Sequence, residues 1–95
     1  MSAAQPHRAF EWDETKRLKN IEKHGFDFFR AISVLLAANV DVPSTFINEP
    51  RRKATGMLDG KLVTVIYTRR PGGTRIISVR RARTNERKAY RELYG

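Results

Sequence analysis

The spacing of apolar residues changes once along this chain, near residue 40, and that change decides what it can fold into. Before it, Leu18 and Ile21, then Phe28, Ile32, Leu35 and Leu36, recur at helical spacing. After it, β-branched residues take over and the period falls to two, as in strands with one face buried. A chain that spends its first part on helices and its second on strands is an α+β protein.

The elements follow from local signals. Residues 10–25 read as a first helix, with Asp13 as N-cap, an Asp13–Arg17 pair at i, i+4 and a stop at Gly25. Asp27 caps a second helix that ends near Asn39, and so short a connection predicts an antiparallel helical hairpin. The segment VDVPSTFI, 40–47, reads as an edge strand, because Pro43 has no amide to donate. RRKATGML, 51–58, is the next strand, and the hairpin signal Asp59-Gly60 leads into KLVTVIYTR, 61–69. Pro71-Gly72-Gly73 turns the chain into TRIISVRR, 74–81. A last helix over 85–94, capped by Thr84 or Asn85, would turn Ala89, Tyr90 and Leu93 inward. The expected fold is a helical hairpin packed on one face of a three- or four-stranded antiparallel sheet, with a short C-terminal helix. Residues 1–9 are expected to be a flexible lead-in and 10–95 a single domain, since 95 residues sustain one core.

Charge narrows the function. Residues 1–50 carry six basic and seven acidic side chains, whereas residues 51–95 carry thirteen and three, so the later part holds the whole excess behind the net +9. A field of that kind suits a polyanion, with nucleic acid the first candidate. A membrane surface would also require a basic amphipathic helix or a lipid anchor, and no apolar run approaches the roughly 20 residues of a membrane span. MSAAQPHRAF lacks the apolar stretch of a secretion signal, and the chain has no cysteine, which together point to a reducing cytoplasm. Only His7 and His24 are available as imidazole ligands, without a carboxylate pair at ligand spacing, so neither a metal nor another cofactor is expected.

Within the basic half, strict alternation puts Ile77 and Val79 on one face of the last strand and Ile76, Ser78 and Arg80 on the other. Arg80 then projects from the face away from the helices, where its fork can hold a phosphate. Arg69 ends the preceding strand close to Arg75, at a rim from which it can turn toward the Arg80 groove. Any one of these arginines is equally well explained as solvated surface, but the cluster is better explained by binding. Lys23 and His24 close the first helix, where cations complement its dipole, and a histidine with a pKa near 6.5 also suits proton transfer. Trp12 and Tyr67 can stack bases or fill core, and Tyr90 and Tyr94 are open between packing and RNA contact.

Three stretches in order, FEWDETKRLKNIEKHGFDF, DGKLVTVIYTRR and RIISVRRARTNERKAY, resemble the BrnT family of bacterial ribonuclease toxins. The resemblance covers about residues 10–91 and implies a RelE-like fold. It also implies a type II toxin that cleaves RNA and forms an oligomer with a BrnA-like antitoxin, meeting DNA only through that complex. Cleavage in such a site needs no metal: the ribose 2′-hydroxyl attacks the adjacent phosphate while cationic side chains stabilise the charge. Carried over by matching motif, Arg80 and Arg69 are the expected transition-state stabilisers and His24 the proton-transfer group. The expected RNA contacts are Lys23, Lys53, Arg52, Arg75, Arg81 and Trp12. Residues 41–58 depart from the family pattern, keeping Gly56 but lacking most of an acidic segment. Two rival readings are a non-catalytic nucleic-acid-binding module and a RelE- or ParE-like toxin acting on a protein such as gyrase.

Overall fold

A computed structural model describes residues 10–44 and 50–95, so the lead-in expected over 1–9 and positions 45–47 of the expected edge strand lie outside the described residues. The elements are β1 (Phe10–Glu11), α1 (Glu14–His24), α2 (Phe28–Leu36), β2 (Asn39–Ser44), β3 (Arg51–Leu58), β4 (Lys61–Arg70), β5 (Gly73–Arg81) and α3 (Thr84–Tyr94). They form an α+β structure on a sheet ordered β1-β5-β4-β3-β2. Strands β2 to β5 are antiparallel neighbours. The turn after Leu58 places Asp59 at φ 51° and Gly60 at φ 79°, the positive pair of a tight two-residue hairpin. Pro43 sits on edge strand β2, as its missing amide requires. The expected three- or four-stranded antiparallel sheet is corrected in both respects: β1 adds a fifth strand and pairs with β5 in parallel, making the sheet mixed. Two residues are too few to show a period, so Phe10 and Glu11 read as the start of a helix.

Helix α2 lies across one face of the sheet. Phe28, Ala31 and Val34 are buried there against Leu58, Val63, Val65, Ile76 and Val79. The stripe advances in steps of three through small Ala31, which leaves Ile32 and Leu35 at its flank and Leu36 65% exposed, against the expected stripe. Gly56 permits this close approach: a Cβ at that position would fall 2.9 Å from Val34 Cγ1 and 3.3 Å from Ala38 O.

Helix α1 does not share that face. Leu18 and Ile21, expected inward, are exposed, and the buried residue of α1 is Asn20. The helix runs along β5 beyond the short β1, where an edge strand needs partners for its backbone groups. Asn20 supplies them: Oδ1 accepts from Val79 N–H at 3.1 Å, and Nδ2 donates to Val79 O at 2.9 Å and to Phe26 O at 2.8 Å. The two helices thus pack on the sheet separately instead of as a hairpin on one face. Asp13 caps α1 by accepting from Thr15 and Lys16 N–H, and Arg17 pairs with Glu14 and Asp27 in place of Asp13.

Strict alternation in β5 fails at one point. Ile66 faces Ser78 and the next residue, Tyr67, faces Ile76, so Ile77 is the extra residue of a bulge. Ile76 and Val79 consequently share the core. Helix α3 covers part of the opposite face, with Arg83 as its N-cap in place of Thr84 or Asn85. Its buried side chain is Glu86, Ala89 and Tyr90 are half-buried, and Leu93, expected inward, is exposed. The face beneath α3 carries Thr55 and Thr64, and a polar floor selects a carboxylate over a leucine.

Candidate functional site

Alternation along β4 sorts the arginines. Val63, Val65, Tyr67 and Arg69 point to the α2 face, and Thr64, which lies opposite Arg80 in the sheet register, points to the α3 face. Arg69 and Arg80 therefore occupy opposite faces of the sheet, and the shared groove expected from the sequence is not formed.

Arg80 is held by Glu86. Its Nη1 and Nη2 donate to Oε1 at 2.8 Å and Oε2 at 2.9 Å, and its side chain is 16% exposed. The same carboxylate accepts from Arg83 N–H at 2.8 Å and the Thr64 hydroxyl at 2.9 Å, and Thr64 in turn accepts from Thr55 at 2.8 Å. Lys53 Nζ stands 3.6 Å away. The Arg80 guanidinium holds the Glu86 carboxyl down at about 2, against burial, which pushes the other way. An arginine so engaged fastens α3 to the sheet.

His24 and Lys23 belong to another corner. Both close α1, one turn beyond the Asn20 that bonds to Val79 of β5. His24 is half-buried, and Lys23 and, at the end of β5, Arg81 are exposed. Arg75, with Arg70, faces Glu11 of β1 at 3.9 and 3.8 Å. The Trp12 ring packs edge-on against Phe29 and Phe28, at 4.7 and 6.1 Å between centroids, so it is part of the support for α2.

The remaining pair, Arg52 and Arg69, meets a carboxylate and a phenol. Asp41 on β2 accepts from Arg52 Nε at 2.9 Å through Oδ1 and from the Tyr67 hydroxyl at 2.5 Å through Oδ2. Tyr67 reaches it from β4 across β3, where small Ala54 lies opposite Asp41 and Arg52 lies opposite Tyr67. The Arg69 guanidinium lies over the Tyr67 ring at 5.4 Å and has no carboxylate partner among the described residues. Burial, and then the Asp41 carboxylate, push the Tyr67 phenol up, so it stays protonated. Asp41, Tyr67 and Arg69 line a cavity of about 220 Å³ together with Phe10, Leu35, Leu36, Asn39 and Thr74. Here, among the described residues, a carboxylate and a guanidinium that no carboxylate holds line the same space.

Sequence reasoning missed Asp41 altogether and left Tyr67 between stacking and core. A usable signal existed. Asp41 shares its parity on β2 with Asn39, and both turn toward the side that α2 covers. An acid on the inward side of an edge strand needs a cationic partner or a task.

The description of the family whose model matches residues 12–86 is a ribonuclease toxin, BrnT, of type II toxin-antitoxin systems. That span takes in Asp41, Arg52, Tyr67 and Arg69. No curated protein matches the chain.

Proposed function

The chain belongs to the BrnT family of type II toxin-antitoxin ribonuclease toxins, and on that premise we propose that it cleaves RNA in the Arg69 cavity, without a metal, by internal attack of a ribose 2′-hydroxyl. The family implies an antitoxin partner and an RNA substrate; in our reading the antitoxin is BrnA-like and the toxin acts in the cytoplasm. The observation that carries the cleavage proposal is the opening of Asp41 and Arg69 into one cavity.

Each group then has a task. The 2′-hydroxyl attacks the phosphorus of its own 3′-phosphate, and Asp41 takes the proton. The bond from phosphorus to the 5′-oxygen breaks, solvent protonates that oxygen, and a 2′,3′-cyclic phosphate remains. Arg69 neutralises charge building on the non-bridging oxygens, and Arg52 lends a second positive charge while fixing Asp41. Tyr67, protonated, fixes the other carboxylate oxygen. Arg80 serves the fold through Glu86, and Lys23, His24 and Arg81 form a corner that contacts the RNA backbone.

The test is incubation with RNA in EDTA, with and without ribosomes, followed by analysis of the new ends. The parent is expected to leave 2′,3′-cyclic phosphate and 5′-hydroxyl ends. Asp41→Asn should lower the rate about 10²- to 10⁴-fold and Arg69→Ala about 10²- to 10³-fold, the usual range for a lost base or a lost charge-stabilising donor. Undiminished cleavage by Asp41→Asn, or cleavage only with an added divalent metal, would overturn the mechanism.

A further inference from the structure

The cleavage chemistry uses Asp41, Tyr67 and Arg69, which leaves Phe10, Leu35, Leu36, Asn39 and Thr74 of the cavity lining without a task. Three of these are apolar and come from two elements: Phe10 from β1, and Leu35 and Leu36 from the last turn of α2. Leu36 is 65% exposed, although it belongs to the wall of a cavity that already contains a charged cluster. At about 220 Å³ the space is smaller than the roughly 300–1,000 Å³ of sites for drug-sized ligands, and so suits one ring system beside the charged groups.

Asn39 adds direction. Its Nδ2 donates to Val34 O at 3.1 Å and Ala37 O at 2.9 Å, the carbonyls that close α2, so both amide protons are committed. Only Oδ1 remains, an acceptor whose orientation is fixed by those two bonds. The Thr74 hydroxyl can rotate to donate or accept and therefore does not discriminate.

We propose that this wall is a nucleobase subsite for the nucleotide whose 2′-hydroxyl attacks, taking the base against Phe10, Leu35 and Leu36 and preferring bases with an exocyclic amino group over uracil. The proposal rests on the cleavage reading for its placement of the 3′-phosphate at Arg69. The apolar side chains accept the flat face of any base. The Asn39 oxygen accepts from the amino group of adenine, cytosine or guanine, whereas the only edge donor of uracil lies between two carbonyl oxygens that repel it.

Titration of the ¹⁵N-labelled protein with the four nucleoside 3′-monophosphates, and with inorganic phosphate alone, tests this without requiring cleavage. Shifts are expected at the amides of Leu35, Leu36, Asn39 and Thr74 for the adenosine, cytidine and guanosine compounds, with about tenfold weaker binding for uridine, the low end of what one well-placed base contact discriminates. Inorganic phosphate should move Arg69 and leave the Leu35–Leu36 amides in place. Leu36→Ala should weaken all four nucleotides severalfold and leave the phosphate response unchanged. Equal affinity for uridine 3′-monophosphate would overturn the selectivity, and nucleotide shifts confined to α3 or identical to those of phosphate would overturn the subsite. Because Asp41→Asn cleavage assays read the catalytic proposal separately, failure of the subsite and failure of the cleavage reading give different results.

Discussion

At the scale of single residues, the arginines differ by what holds them. Arg80 was legible as a cation on the far face, but its partner Glu86 was not, because the two meet only after α3 folds back over the sheet. The low Glu86 pKa has a definite sign: a carboxyl that ionises more readily when folded stabilises the fold above its unfolded pKa of about 4.3 and loses that contribution as pH falls toward 2. Glu86→Gln should therefore cost on the order of 2–3 kcal/mol at pH 7, leaving a largely buried guanidinium without its counter-charge. Denaturant titrations at pH 7 and pH 2.5 check this: the gap between parent and variant should shrink at the lower pH. Asp41 was missed for a related reason. Its two partners come from neighbouring strand β3 and from β4 beyond it, and no spacing along the chain records that crossing.

At the scale of elements, the helices and long strands could be read because each carries its own period and stop signals, and the misplacements cluster where a neighbour overrides them. Helix α1 has apolar residues at helical spacing, yet it turns Asn20 inward, since what it meets is the open edge of β5 and not an apolar face. Asn20→Ala should cost about 2–4 kcal/mol in urea denaturation, because it strands backbone groups of Val79 and Phe26 away from water. Leu18→Ala, on the exposed side, should change stability by less than about 0.5 kcal/mol. The bulge at Ile77 is another override: the apolar run of β5 could be recognised, but the slip that turns Ile76 into the core depends on its pairing with β4.

At the scale of the whole molecule, the uneven charge was plain in the sequence, and the fold adds a division of labour. Cations on β3, β4 and the start of β5 are mostly engaged: Arg52 with Asp41, Lys53 with Glu86, Arg70 and Arg75 with Glu11. Among the described residues Lys61, Arg81, Arg83, Arg87, Lys88 and Arg91 have no carboxylate partner, and neither do Arg69 or Lys16, Lys19 and Lys23 of α1, so the end of β5 and α3 carry a large share of the uncompensated field. RNA affinity should fall steeply with salt, and replacing both Arg83 and Lys88 with Ala should reduce the slope of log K against log salt by about 0.7 per removed phosphate contact. A filter-binding series from 50 to about 300 mM salt measures it, and an unchanged slope would remove α3 from the RNA surface. The pairing of Phe10 with Thr74, and of Asn20 with Val79 across 59 positions, also governs the order in which the molecule can assemble. Strands β3, β4 and β5 join by short turns and can pair early, whereas β1 and α1, which precede them in the chain, have nowhere to dock until Thr74 to Val79 exist. Phe10 closes the cavity only then, so the cavity cannot take shape before Thr74 to Val79 have been synthesised.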